Sequence, residues 1–188
     1  IYAFEPGPGR YLAFLGRISP EKRPDRAIAI AKRAGLPLKI AAKVDAADAN
    51  YFEQVIRPML DDPLIEFVGE IGDAEKSAFL GGASALLFPI DWPEPFGLVM
   101  IEAMACGTPV IGWRCGSVPE VIEDGVSGRI VESQPQAVEA VHTIDQLDRR
   151  RVRQAFDNRF SARAMASAYV EQYRRLTGHD DADAALPP

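Results

Sequence analysis

One unit within 85–111 limits what the rest of this chain can become: a strand, a loop held open by two prolines, and a helix that begins on a glycine. The run 85–88 is short and wholly apolar, long enough for a strand buried on both faces. Pro93 and Pro95 forbid helix and keep the chain extended around Glu94. Gly97 permits a tight turn or close approach to a ligand. Residues 98–105 have helix-forming composition, Gly107 and Pro109 stop the helix, and a second strand opens at 109–111. The first N–H groups of a helix have no intrahelical acceptor, so the helix start at Gly97 can hold an anion such as a phosphate.

The same alternation runs through the chain. Strands are expected at 11–15, 38–42, 65–68, 85–88, 109–111 and 128–131. Between them lie helical stretches at 25–33, 50–56, 73–80, 98–105, 118–122 and 135–144, followed by helices at 149–158 and 161–176. Asp73 is the expected cap of the helix to Leu80, and Pro58 is expected to disturb the end of 50–56. Strands that are continuously apolar and separated by helices make an α/β fold, a parallel sheet covered by helices on both faces. Such sheets bind ligands at the carboxyl ends of their strands, where the glycine-rich loops of this chain fall. Residues 1–10, with Pro6, Gly7, Pro8 and Gly9, read as a linker or domain edge. Residues 11–160 form the main domain, 161–177 an amphipathic carboxy-terminal helix, and 178–188 a disordered acidic tail.

Composition adds exclusions. Apolar residues make up 47% of the 188, enough for a core. The formal charge is −6, which argues against nucleic acid or an anionic membrane surface as a general partner. The two cysteines, Cys106 and Cys115, make neither a disulfide framework nor a metal site. His142 and His179 lie away from the loops and read as surface residues. No stretch is long and apolar enough to span a membrane, and no signal peptide opens the sequence, so a cytoplasmic location is expected.

Glu102 sits on an otherwise apolar helix and needs a partner. Spacing leaves two readings open: a structural carboxylate, or a bidentate acceptor for the vicinal hydroxyls of a ribose. Arg17 and Lys22 follow the first strand in the loop Gly-Arg-Ile-Ser-Pro-Glu-Lys, and charges in a loop are by default solvated.

A resemblance bears on both. Glu-Pro-Phe-Gly-Leu-x-x-x-Glu-Ala-Met-Ala-x-Gly-Thr-Pro-Val-Ile-Gly, then Gly-Ser-x-x-Glu-Val-Ile-x-x-Gly-x-x-Gly, resembles the signature of the retaining family-4 (group 1) glycosyltransferases. The resemblance covers 11–176 and implies the carboxy-terminal, Rossmann-like half of a GT-B fold, which binds a UDP- or GDP-linked sugar donor. It implies that Arg17 and Lys22 grip the diphosphate, that Phe96, Gly97 and Leu98 offer backbone N–H groups to it, and that Glu102 accepts from the ribose. Glu94 would hold the transferred sugar, and residues 69–73 would lie against the base. Positive charge aimed at a departing diphosphate stabilises it without a cofactor or a metal. Asp91 and Trp92 depart from the small polar residue often found before this motif. The acceptor site would belong to an amino-terminal domain not found in these residues, and any membrane association would come through it. Without that domain, the apolar side of the last helix would fold onto its own domain, self-associate weakly, or stay exposed.

Two rivals remain. A dinucleotide-dependent oxidoreductase would want Gly-x-Gly-x-x-Gly after the first strand, where Gly16-Arg17 stands instead. A non-enzymatic nucleotide-sugar or anion-binding module of the same fold would carry the same residues.

Overall fold

The protein is described by a computed structural model covering residues 2–177. Six strands form one wholly parallel sheet among them: β1 (Tyr11–Arg17), β2 (Leu38–Lys43), β3 (Ile65–Gly69), β4 (Ala83–Phe88), β5 (Val110–Trp113) and β6 (Gly128–Val131). Their order across the sheet is β3-β2-β1-β4-β5-β6. The chain therefore builds outward from β1 in one direction, then returns and builds outward from β4 in the other. Where β1 and β4 lie side by side, the loops leaving their carboxyl ends part to opposite sides and leave a crevice.

Side chains alternate along each strand, and both faces are buried. Leu12, Phe14, Leu38, Ile40, Ala85, Leu87 and Ile111 point into one apolar layer. That layer lies under α1 (Pro24–Ala34), the irregular helical stretch α2 (46–59) and α6 (Gln134–Thr143). Ala13, Ala41, Leu86, Phe88 and Val110 point into the other, under α3 (Asp73–Gly81), α4 (Leu98–Ala105), α5 (Val118–Val121) and α7 (Arg149–Arg159). The last helix, α8 (Ala162–Thr177), contributes no buried residue.

Local chemistry explains most boundaries. Pro24 opens α1, Asp25 lies in its first turn, and Lys32 and Arg33 lie in its last, a polarity that suits the helix dipole. Asp148 caps α7 by accepting from the Arg150 N–H at 2.9 Å. The charged helix α7 is also a staple. Arg149 donates to the carbonyls of Glu5, Gly81 and Ala83 and to Thr108, and Arg153 donates to the carbonyl of Ala105. These carbonyls belong to the segments that enter and leave the second layer, so α7 ties its loose ends together. Burial lowers the pKa of Arg149, and its carbonyl partners offer no full counter-charge.

Two expectations need correction. Gly16 and Arg17 are not loop residues but the end of β1, paired with Ala42 and Lys43. Asp73 does not cap α3. Gly72 holds the cap position, the Glu75 carboxylate accepts from the Gly72 N–H at 2.9 Å, and Asp73 pairs with Lys76. Pro58 does disturb the end of the helix before it: the turns widen over Phe52–Ile56 and tighten into a 3-10 turn over Arg57–Met59, where the proline stands near the start. Residues 2–10 run extended over the second layer, with Ala3 N–H bonded to Ser77 Oγ and Glu5 N–H to the carbonyl of Cys106. The tail and His179 lie outside the described residues, and among those described no helix is long and apolar enough to cross a membrane.

Candidate functional site

The loops that leave β1 and β4 meet over the crevice at the sheet's switch point. The β1 loop carries Lys22 and the β4 loop carries Glu94, and the two side chains form an ion pair. Both are largely buried, with 18% and 14% of their side-chain surfaces exposed. The indole N–H of Trp92 also donates to Glu94 Oε2, at 3.0 Å, and the Lys22 ammonium lies 5.4 Å from the centre of the Trp92 ring. Lys22 and Glu94 line a cleft of about 410 Å³ together with Gly16, Phe96, Gly97 and Leu98.

Gly97 makes this possible. Its φ of 73° lies in the left-handed region, where a side chain would be strained. A Cβ there would come 3.1 Å from the Phe88 ring, which closes the cleft floor. The turn leaves the N–H groups of Phe96, Gly97 and Leu98 without an acceptor among the described residues, all at the start of α4. Phe96 and Leu98 are 42% and 64% exposed, and Gly97 between them is buried.

A second loop fixes the first from behind. Ser117 N–H donates to the carbonyl of Glu94 and Ser117 Oγ to the carbonyl of Phe96, both at 2.9 Å. Gly116 lies so close that a Cβ would enter the backbone of Glu94, and its φ of 54° is again left-handed. Gly116 and Ser117 belong to the second half of the sequence signature, but nothing in their spacing announced this contact.

The cleft continues along α4 into a second hollow of about 400 Å³, which shares Leu15, Gly16, Leu98 and Val99 with the first. Arg17 and Glu102 lie here, with Glu70 and Ile71 from the stretch expected against a base. The structure thus divides the seven candidate residues between two ends of one groove. Lys22, Glu94, Phe96, Gly97 and Leu98 gather at one end, and Arg17 and Glu102 line the other. Arg17 and Lys22 share no counter-ion: Arg17 lies 3.4 Å from Glu21 and 3.6 Å from Asp45, with its side chain 52% exposed.

Glu102 faces two groups the sequence did not single out. Lys76 lies 4.0 Å from it, and the Tyr2 phenol is its neighbour on the other chain segment. Burial and the nearby Glu102 carboxylate push the Tyr2 phenol above the ordinary tyrosine value. Neither neighbour had a local signal, because Tyr2 and Lys76 are brought to α4 only by the fold.

The β1 loop is held by charges as well. Arg23, the only non-glycine residue with positive φ among those described, bonds Asp25 and reaches Asp91 at 2.8 Å. Burial pushes the Asp25 carboxyl up, but bonds from Arg23 and Tyr51 outweigh it and hold the group below its ordinary value. Among the described residues no three of His, Cys, Asp and Glu are grouped as a metal site.

The model of the glycosyl transferases group 1 matches residues 4–164. The D-inositol 3-phosphate glycosyltransferase of Mycobacterium sp. (strain KMS) is 34% identical over 147 residues, which are 72% of this chain and 31% of that protein. The chain therefore spans about a third of the length of the curated relatives it matches. Among solved structures, AviGT4, a glycosyltransferase involved in avilamycin A biosynthesis, superposes with a TM-score of 0.78 at 26% identity, over 94% of this chain and 55% of that one. Anabaena HepE, solved in complex with UDP, gives a TM-score of 0.76 at 21% identity, over 89% of this chain and 49% of that one, a likeness of fold.

Proposed function

The chain belongs to the group 1 glycosyl transferases, and from that premise we propose that it is the donor-binding half of an enzyme that moves a sugar from a nucleotide-sugar to an acceptor hydroxyl, with retention at the anomeric carbon. The observation that carries this reading is the Lys22–Glu94 pair beside the unpaired N–H groups at the start of α4, at the switch point of the sheet. A second domain would present the acceptor, and the present residues answer for the donor alone.

Each role follows from chemistry. A diphosphate carries negative charge that grows as the glycosidic bond breaks. The ammonium of Lys22 has three donors, so it can keep Glu94 and still reach a phosphate oxygen. The N–H groups of Phe96, Gly97 and Leu98 have no acceptor among the described residues and would bind a second oxygen, aided by the positive end of α4. Arg17, on the far side of Gly16, faces the same groove and adds charge from the other end. These groups stabilise the leaving diphosphate without a metal. Glu102, beside the Tyr2 phenol, takes the ribose hydroxyls, and residues 69–73 border the base. Glu94 takes a hydroxyl of the transferred sugar.

The test is calorimetric titration of the chain with UDP and with GDP in EDTA. One of the two should bind, and its affinity should fall as salt rises, because exposed charge is screened. Binding that appears only with Mg²⁺ or Mn²⁺ contradicts the assignment of the diphosphate to Lys22, Arg17 and the helix start.

A further inference from the structure

We propose that Trp92 is a positioning residue that sets which oxygen of Glu94 the donor sugar meets, and through it which sugars the site accepts; the inference rests on the donor-site reading above. The starting point is an asymmetry. Lys22 and the Trp92 indole N–H both engage Oε2 of Glu94, while Oε1 has no partner among the described residues. A carboxylate whose two donors sit on one oxygen is held against rotation and presents the other oxygen with its lone pairs free. Glu94 itself lines the cleft, together with Lys22 and Gly97.

The device needs Trp92 itself to be fixed, and the structure fixes it from both sides. Upstream, the Asp91 N–H donates to the carbonyl of Glu21 at 2.8 Å, and the Asp91 carboxylate is held by Arg23 at 2.8 Å and Arg26 at 3.4 Å. Downstream, the Glu94 N–H donates to the carbonyl of Trp92 at 2.8 Å, and the carbonyl of Glu94 is held by Ser117. Arg23 accepts a left-handed backbone in the same arrangement, a strained conformation that its bonds to Asp25 and Asp91 hold in place. Asp91 and Trp92 thus act together, Asp91 as the anchor and Trp92 as the pointer. A sugar whose hydroxyl reaches Oε1 gains a bond to a charged acceptor, and one lacking that hydroxyl leaves the oxygen unpaired.

Trp92→Phe is the decisive variant. It keeps a ring under the Lys22 ammonium and removes only the N–H. Trp92 is 37% exposed and belongs to neither apolar layer, so the exchange leaves the fold intact. The chain and the variant are titrated with UDP, UDP-glucose, GDP and GDP-mannose. Trp92→Phe should weaken the bound nucleotide-sugar by roughly tenfold, the lower end for a bond to a charged group, and leave the matching nucleoside diphosphate within about twofold. Trp92→His, which restores an N–H donor, should recover part of the loss, and Trp92→Phe combined with Glu94→Gln should lose no more than Glu94→Gln alone. Equal losses for nucleotide and nucleotide-sugar would make Trp92 merely structural, because the phosphate-binding N–H groups follow it in the same loop. No loss for either would overturn the proposal. Failure of the unsubstituted chain to bind any of the four would overturn the donor-site reading, and this inference with it.

Discussion

Helices α4 and α8 both carry an apolar side, and they meet opposite fates. In α4, eight residues long, Met100, Ala103, Met104 and Ala105 are all buried, the helix lying between the sheet and α7. In α8, sixteen residues long, Met165, Tyr169, Tyr173 and Leu176 all remain exposed. The difference lies in connection. Helix α4 is the crossover between two parallel strands, so the chain cannot return to the sheet without laying it on the face. Helix α8 follows α7 and connects no two strands among the described residues. Its inner side lines an apolar cleft of about 510 Å³ with Phe96, Ile101 and Phe160. An apolar stripe states that a helix gains by burial; the connection decides whether the domain itself supplies it. Of the outcomes expected for this helix, folding its apolar side onto its own domain is the one the structure does not show.

Paired truncations measure the contrast. Met104 is fully buried, and Met104→Ala should cost about 2–5 kcal/mol in urea denaturation. Met165→Ala on α8 should stay within about 0.5 kcal/mol, as surface changes do. Comparable costs would show that α8 is part of the core, and would remove the contrast.

A smaller effect is expected where α4 does its proposed chemical work. Glu102→Gln should weaken a ribonucleotide by about 1.5–3 kcal/mol, the range for a hydrogen bond to a charged group. Its 2′-deoxy analogue should lose clearly less. Equal losses for both nucleotides would leave Glu102 as a structural partner of Tyr2 and Lys76. In that case α4 would be a scaffold helix, as bland in function as α8.

What could be read from the sequence divides along the same line. The six strands, and the Pro93–Gly97 loop that opens α4, are written locally, as short apolar runs and as proline and glycine punctuation. Lys22 and Glu94 were legible as loop residues at the carboxyl ends of strands, because strand–loop–helix alternation in a parallel sheet puts every such loop on one edge. The contacts within the site were not. Lys22 meets Glu94 across β1 and β4, Ser117 braces the β4 loop from β5, and Tyr2 reaches Glu102 from the far end of the chain. Each depends on the strand order, which alternation does not state. The local misreadings have local causes. Gly16-Arg17 looked like a turn because a glycine and a charge rarely end a buried strand, and Asp73 looked like a cap although Gly72 before it needs no side chain when Glu75 reaches back.

The central claim is that the groove at the ends of β1 and β4, and not the apolar cleft under α8, receives the nucleotide. Amide hydrogen exchange with and without the nucleoside diphosphate that the titration selects tests it most directly. In the free chain α8 should exchange well before the central strands β1 and β4, because it buries nothing. On addition of ligand, protection should rise at Phe96, Gly97 and Leu98 and in the loop around Lys22, while residues 162–177 stay unchanged. Protection confined to α8, with the start of α4 unmoved, would contradict the account.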